Sequence, residues 1–142
     1  ASDGEMMKYP EVLDPSMVGE YSALSKAGGG YVWDAVLEYR VWFHDESGDD
    51  YYYVFDNAEG ALDFCSQESG AESPLALILQ REYIDEPEQG KYIHVKEERI
   101  TEWPIEFLRR PKRTKETIPD FLAPNAPANK LDIIRGFARK NA

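Results

Sequence analysis

The residues best suited to do chemistry form a basic segment with the sequence RRPKRTK, at residues 109–115. Five of its seven residues are positively charged, although the whole chain has a formal net charge of −11. Guanidinium and ammonium groups at this density suit phosphate groups or acidic protein surfaces. The candidate ligand-binding residues of this segment are Arg109, Arg110, Lys112 and Arg113. Three interpretations stay open: a phosphate-bearing ligand, an acidic partner or second copy, and counter-charges for the protein's own acidic surface.

A second candidate site combines charged and aromatic side chains on predicted strands. Glu38 and Arg40 share one side of a strand, and Glu82 belongs to a later strand. The other side of the first strand carries Leu37, Tyr39, Val41 and Phe43. If the two strands are neighbours, an arginine and a glutamate meet on the sheet face opposite the helices. The aromatic residues expected to flank that face are Tyr31, Trp33, Trp42 and Trp103. The face is then either a cleft in which Arg40, Trp42 and Trp103 bind a ligand, or an ordinary ion pair exposed to water.

The histidines and the cysteine give no motif for metal binding or nucleophilic catalysis. His94 lies in a predicted strand, where it is either a packing residue bonded to a carboxylate or a general base. The acidic loops at 44–50 and 85–90 lack the ligand spacing of a calcium loop, so no metal site is predicted. Cys65 lies on the apolar stripe of a predicted helix, which favours a role in the core.

The elements that position these residues follow from the pattern of apolar residues. Residues 35–44 alternate, which predicts a strand, and the polar turn DESGDD joins it to a second strand at 51–55. A helix at 56–70 follows, with Asp56 as its N-cap. The same order then recurs as a strand at 75–84, a turn at 85–90, a strand at 91–95 and a helix from Thr101 to Arg110. The predicted fold is α+β, with an antiparallel sheet of about four strands in two β-hairpins and helices packed on one face.

The chain reads as a single domain with three parts. Residues 1–30 form an N-terminal lead-in, with Asp14 as a cap residue, a short helix through Leu24 and a glycine stop at 28–30. Residues 31–110 form the α+β core. Residues 111–142 form a proline-rich basic segment and a C-terminal helix that begins after Asn125.

Composition excludes several classes of protein. Hydrophobic residues make up 42% and charged residues 30%, which indicates a globular chain. A net charge of −11 disfavours nucleic-acid binding, because a polyanion would be repelled by most of the surface. The longest strongly apolar run, at 74–79, is far shorter than the roughly 20 residues that span a bilayer, so no membrane association is predicted. The single cysteine excludes an intramolecular disulfide and favours the cytoplasm.

Four phrases of the sequence together resemble a group of small bacterial proteins labelled as N-acetyltransferases of the GNAT superfamily. They are GGGYVWDAVLEYRVW, LALILQREYIDEP, YIHVKEERITEWPIEFL and IPDFLAPNAPANKLDIIRG. The resemblance implies acyl transfer with acetyl-CoA as cofactor, and Glu82, Tyr83 and His94 become the candidate general base or acid. The superfamily's pyrophosphate loop, [QR]-x-x-G-x-[GA], is absent from this sequence, so the cofactor phosphates are assigned to the basic segment. A fainter similarity to ADP-ribosyl-transferring folds pairs Arg40 with Glu98 or Glu102.

Two hypotheses about function follow from these observations. The first is an acetyltransferase-like enzyme that acts on a small molecule, as the resemblance implies. The second is a non-enzymatic acidic domain for self-association, as a homodimer, or for binding a protein partner. The residues favour the second hypothesis, and the resemblance favours the first.

Overall fold

The computed structural model describes residues 8–25 and 30–138. The described residues form an α+β fold, as the sequence predicts. Its strands are β1 (Ala35–His44), β2 (Asp50–Phe55), β3 (Leu75–Gln80), β4 (Tyr83–Glu88), β5 (Lys91–Val95) and β6 (Arg99–Pro104). Its helices are α1 (Ala58–Gln67), α2 (Thr117–Leu122) and α3 (Lys130–Ile134), with short 3-10 helices at Pro15–Met17 and Ile105–Arg109. None of these helices has the length and the apolar run that crossing a bilayer requires.

Four strands form one antiparallel sheet in the order β2-β1-β3-β6, and β4 pairs with β5 in a separate two-stranded sheet. The first predicted hairpin, β1–β2, is confirmed, and β1 also pairs with β3, so the condition set for the charged sheet face is met. The second hairpin differs from the prediction because it joins β4 to β5. The predicted strand at 75–84 breaks after Gln80, and most of the predicted turn at 85–90 belongs to β4.

The predicted helix from Thr101 to Arg110 is wrong. Residues up to Pro104 form the edge strand β6, and only Ile105–Arg109 turn into a 3-10 helix. The reason is burial: Thr101 and Trp103 lie opposite Ile78 and Ala76 of β3, and both are buried. The apolar strand β3 needs a partner on each edge, and β6 supplies the second one.

The two faces of the larger sheet pack against different parts of the chain. The first face carries Tyr39, Val41, Ile78 and Trp103 and packs against α1. The second face carries an apolar cluster of Ala35, Leu37, Leu77 and Leu79, against which Tyr21 of the N-terminal segment packs. The prediction that Leu37 shares a face with Tyr39 is wrong, because a register shift between Val36 and Glu38 moves it to the opposite face.

The β4–β5 sheet and the helices α2 and α3 enclose a second, smaller core. Its buried residues are Val32, Ile84, Ile118, Phe121 and Ile134. The last helix is shorter than predicted, since it covers only Lys130–Ile134. The helices were predicted to pack on one face of the larger sheet. Among the described helices α1–α3, α1 does so, whereas α2 and α3 pack in the smaller core.

Local capping follows the sequence in part. The N-cap of α1 is Asn57 rather than Asp56, because the Asn57 side chain accepts a hydrogen bond from the Gly60 amide at 2.6 Å. Asp14 does act as a cap, with its side chain accepting from the Ser16 amide. That cap begins the 3-10 helix Pro15–Met17, and no longer helix reaches Leu24. Two residues of the predicted glycine stop, 28 and 29, lie outside the described residues.

Candidate functional site

A buried ion network lies on the second face of the larger sheet. Glu38 and Arg40 are two residues apart on β1, so their side chains share one face, and both are 0% exposed. The Arg40 guanidinium donates from Nε to Glu38 Oε2 at 2.6 Å and from Nη1 to Glu102 Oε2 at 2.9 Å. It also lies 4.6 Å from the centre of the Tyr52 ring. Burial acts to lower the pKa of Arg40, but the hydrogen bonds to Glu38 and Glu102 raise it overall, so the group stays charged.

The same network holds the N-terminal segment against the sheet. Arg40 Nη2 donates to the Ser22 carbonyl at 2.6 Å, and Glu38 Oε1 accepts from the Gly19 amide at 2.9 Å. Gly19 has a φ of 90°, a region that glycine enters without steric cost. Arg40 therefore acts inside the protein, between a strand and the segment that covers it, rather than on a wet surface.

An acidic cleft of about 560 Å³ opens beside the network. Glu102 joins the two, since its Oε2 accepts from Arg40 and also from the Trp42 indole Nε1 at 2.9 Å. Both of these bonds end on Oε2, and among the described residues none donates to the other carboxylate oxygen, Glu102 Oε1. The remaining lining residues are His44, Asp50, Glu72, Ser73, Pro74, Leu75 and Pro104. Glu102 thus shares the Arg40 guanidinium with Glu38 and lines the cleft together with the carboxylates Asp50 and Glu72.

His44 stands between two carboxylates at the mouth of the cleft. Its Nδ1 lies 2.9 Å from Asp50 Oδ1, and its Nε2 lies 3.4 Å from Glu72 Oε1. The hydrogen bond with Asp50 and the charges of Asp50 and Glu72 raise the pKa of His44 above its usual value. At low pH an imidazolium offsets one of the two carboxylate charges, and at high pH both carboxylates are available to another cation.

A second cluster brings together three of the residues singled out from the sequence. His94 Nε2 lies 2.8 Å from Glu82 Oε1, and Arg113 Nη1 lies 3.5 Å from the same oxygen. Arg113 Nε also donates to the buried Asp34 at 2.8 Å. Tyr83 is not part of this cluster, because its ring stacks on the Arg99 guanidinium at 3.6 Å.

The basic segment divides into anchored and exposed cations. Arg110 donates to the Gly30 carbonyl and stacks 3.9 Å from the Phe107 ring, and burial lowers its pKa. The Arg113 amide donates to the Trp33 carbonyl at 2.9 Å. The exposed cations of the segment are Arg109, Lys112 and Lys115. Two arginines thus serve as counter-charges or anchors for the protein's own structure, and Lys115 Nζ lies 4.0 Å from Glu116 Oε1, so Arg109 and Lys112 are the exposed cations of the segment best placed for an external anion.

The aromatic residues assigned to one cleft lie in different places. Trp42 lines the cleft, with its ring 4.6 Å from that of Tyr52. Trp103 lies on the opposite face of the sheet and is 1% exposed. Trp33 packs in the same core as Trp103, and Tyr31 donates to Glu86 at 2.5 Å beside the small sheet. Arg40 meets Glu38 and Glu102, whereas Glu82 belongs to the second cluster.

No family model, curated protein or solved structure matches this chain. The resemblance to N-acetyltransferases therefore stays a prediction. Within residues 8–25 and 30–138, no group of three or more His, Cys, Asp or Glu side chains is arranged to hold a metal ion.

Neither Asp50 nor Glu72 belongs to a site predicted from the sequence. Glu102 is predicted only as one of two alternative partners of Arg40. The position of Glu102 on the charged sheet face could not be predicted, because its segment was predicted to be a helix. Residues 100–103 run apolar, polar, polar, apolar and so lack the alternation of a strand, and pairing with β3 decides their structure. Glu72 has no local signal either, because its place at the cleft depends on the backbone bond from its amide to the Trp42 carbonyl.

Proposed function

We propose that this protein is a non-enzymatic binding domain whose acidic cleft receives a lysine or arginine side chain of a protein partner. The observation that carries the proposal is the cleft itself, which Glu102, Asp50 and Glu72 line together with the Trp42 indole. Among the described residues, Arg40 is the only lysine or arginine that pairs with one of these three carboxylates, and it does so at Glu102.

The electrostatics of the whole chain support a cationic ligand. The formal net charge of −11 creates a field that attracts basic surfaces and speeds their association. The Arg40 network fixes the orientation of Glu102 before any ligand arrives, which reduces the entropy lost on binding. Trp42 offers a ring edge and face beside these carboxylates, and cations are stabilised near indole rings.

The test uses the indole signals of the three tryptophans. N-acetyl-arginine amide, titrated into ¹⁵N-labelled protein, is expected to shift the Trp42 indole signal, because that N–H is bonded to Glu102. The Trp33 indole, bonded to the Arg110 carbonyl, and the buried Trp103 indole serve as internal controls that do not shift. Glu72→Gln is expected to weaken binding roughly 1.5- to 5-fold, the range for an exposed ion pair.

Matched variants and pH separate this site from general charge attraction. Asp63→Asn removes the same charge from an exposed position on α1 and is expected to leave the affinity unchanged. Affinity should rise as pH rises through the raised pKa of His44, and His44→Gln should remove that dependence. Equal shifts with N-acetyl-glutamine amide, or no shift of the Trp42 indole, would contradict the proposal. Size-exclusion chromatography over a salt series shows whether the partner is a second copy.

Acyl transfer from acetyl-CoA is a second candidate function, and the contact between Glu82 and His94 favours it. In this proposal the amine of an acceptor attacks the thioester, the C–S bond breaks as the C–N bond forms, and the pair moves the amine proton to the departing thiolate. Arg113 brings the basic segment next to the pair, so that the exposed Lys112 is available for a cofactor phosphate.

Calorimetry tests this second candidate. Acetyl-CoA and desulfo-CoA are both expected to bind, Lys112→Glu to weaken both, and His94→Gln to leave binding intact while abolishing transfer. A cofactor titration without heat at millimolar concentration excludes the candidate. The cleft and the pair of Glu82 and His94 share no residue. The result of this calorimetry therefore does not decide whether the cleft binds a cation.

A further inference from the structure

The outer edge of the larger sheet is open along β2. This strand is at the end of the order β2-β1-β3-β6 and pairs only with β1, in register from Asp50 to Phe55. Among the described residues, no other backbone group bonds to β2. Alternate residues of this six-residue strand therefore direct their backbone N–H and C=O groups away from β1, and these groups form a template for another strand.

An aromatic patch lies on one side of this edge. Tyr51 and Tyr53 are 46% and 49% exposed. They are not loose, because Phe43 stacks on Tyr51 at 5.1 Å and Phe64 of α1 lies 5.0 Å from Tyr53. Ordered, partly exposed tyrosines are typical of protein interfaces, since they bury much area with little loss of side-chain entropy.

The charges at the two ends of β2 indicate which strand fits. Asp49 and Asp50 stand at its start and Asp56 directly follows it. If two copies of the chain paired antiparallel along this edge, aspartates of one copy would face aspartates of the other. Like charges opposite each other destabilise a strand pair, whereas opposite charges stabilise it. The edge is thus protected against a second copy and complementary to a strand with basic ends.

We propose that the outer edge of β2 accepts an extended segment of a partner protein, apolar or small in its centre and basic at both ends, as a fifth strand of the sheet. Backbone hydrogen bonds supply the attachment, the tyrosines contact alternate side chains, and the aspartates select the charge. This surface shares Asp50 with the cleft, but Asp49 and Asp56 do not line the cleft, so variants at these two positions test the edge alone and either proposal can fail while the other holds.

The test uses synthetic heptapeptides and hydrogen exchange. The peptide acetyl-KTVTVTK-amide is expected to bind and to slow amide exchange within Tyr51–Phe55. The peptide acetyl-ETVTVTE-amide is expected to bind at least about three-fold more weakly, as two end pairs change sign. An N-methylated version of the basic peptide keeps its charge but loses its backbone donors, and it should not protect β2.

Charge reversal at the ends of the strand provides the decisive variant. Asp49→Lys with Asp56→Lys is expected to reverse the preference in favour of the acidic peptide. Asp63→Lys with Glu68→Lys makes the same charge change at exposed positions away from the edge and should leave the preference unaltered. The proposal is overturned if all three peptides bind alike, or if the protein alone protects β2 in proportion to its concentration, which would assign the edge to a second copy.

Discussion

Replacing Arg40 with methionine is expected to lower the free energy of unfolding by about 3–5 kcal/mol, the cost of breaking a buried ion pair by removing one partner. Methionine fills much of the space of the arginine stem, so loss of volume contributes little. The cost arises because Glu38 is 0% exposed and loses its ion-pair partner in a place that water does not reach. The Ser22 carbonyl loses its donor as well. Guanidinium chloride unfolding, followed by tryptophan fluorescence, measures the change.

A double variant separates the buried charge from the rest of the change. Arg40→Met with Glu38→Gln is expected to recover much of the loss, because no uncompensated charge stays buried and the glutamine oxygen still accepts from the Gly19 amide. Glu102→Gln serves as the comparison and is expected to cost less, because Glu102 is partly exposed and its amide oxygen can still accept from Trp42. If Arg40→Met costs under about 1 kcal/mol, the network does not carry a buried charge of this kind.

The network also explains why the N-terminal segment covers one face of the sheet. A buried ion cluster is weak evidence for stability, because well-packed apolar residues often do as well. Its bonds to Gly19 and Ser22 are directional, however, and an apolar surface would hold the segment in many registers. The arrangement fixes one register and at the same time orients Glu102 toward the cleft. Fold and candidate site therefore depend on the same guanidinium.

Local pattern was enough to predict the first half of the fold. The sequence of β1 alternates between Leu37 and Val41 and is followed by a short polar turn, so its hairpin with β2 could be predicted without knowledge of the rest of the chain. The predictions for the second half of the fold were wrong where burial against distant parts of the chain determines the secondary structure. Residues 101–104 form a strand because β3 lacks a second neighbour, and a proline with a preceding threonine suggested a helix start instead. The register shift beside Leu37 likewise has no local signature.

The candidate site was less accessible from sequence than the fold. Glu82 and His94 are twelve residues apart, and Arg113 joins them from the basic segment only because Asp34 holds it. The cleft residues Asp50, Glu72 and Glu102 come from three separate parts of the chain, so their spacing in the sequence does not show that they lie together. Trp42 is predicted to flank the charged face, and its indole N–H does donate to Glu102 there, while its part in binding a ligand stays a prediction.

Asp34 determines where the basic segment lies, and Asp34→Ala is expected to cost about 2–4 kcal/mol. Its Oδ1 accepts from Arg113 Nε at 2.8 Å, and its Oδ2 accepts from the Arg81 amide at 2.6 Å. Hydrogen bonds to charged groups contribute roughly 1.5–3 kcal/mol each, and Arg113 keeps a weaker contact with Glu82 that offsets part of the loss. The expected cost is smaller than that of Arg40→Met because the Arg113 side chain is 14% exposed and gains hydration.

The local consequence distinguishes anchoring from general destabilisation. Without Asp34 the Arg113 amide, which donates to the Trp33 carbonyl, is expected to exchange with solvent much faster than the amides of β1 and β3. Asp34→Asn keeps an acceptor for the Arg81 amide and removes only the charge, so about half of the loss should return. An Asp34→Ala protein with unchanged unfolding and unchanged exchange at Arg113 would show that the basic segment is held by Arg110 and its stacking on Phe107 instead.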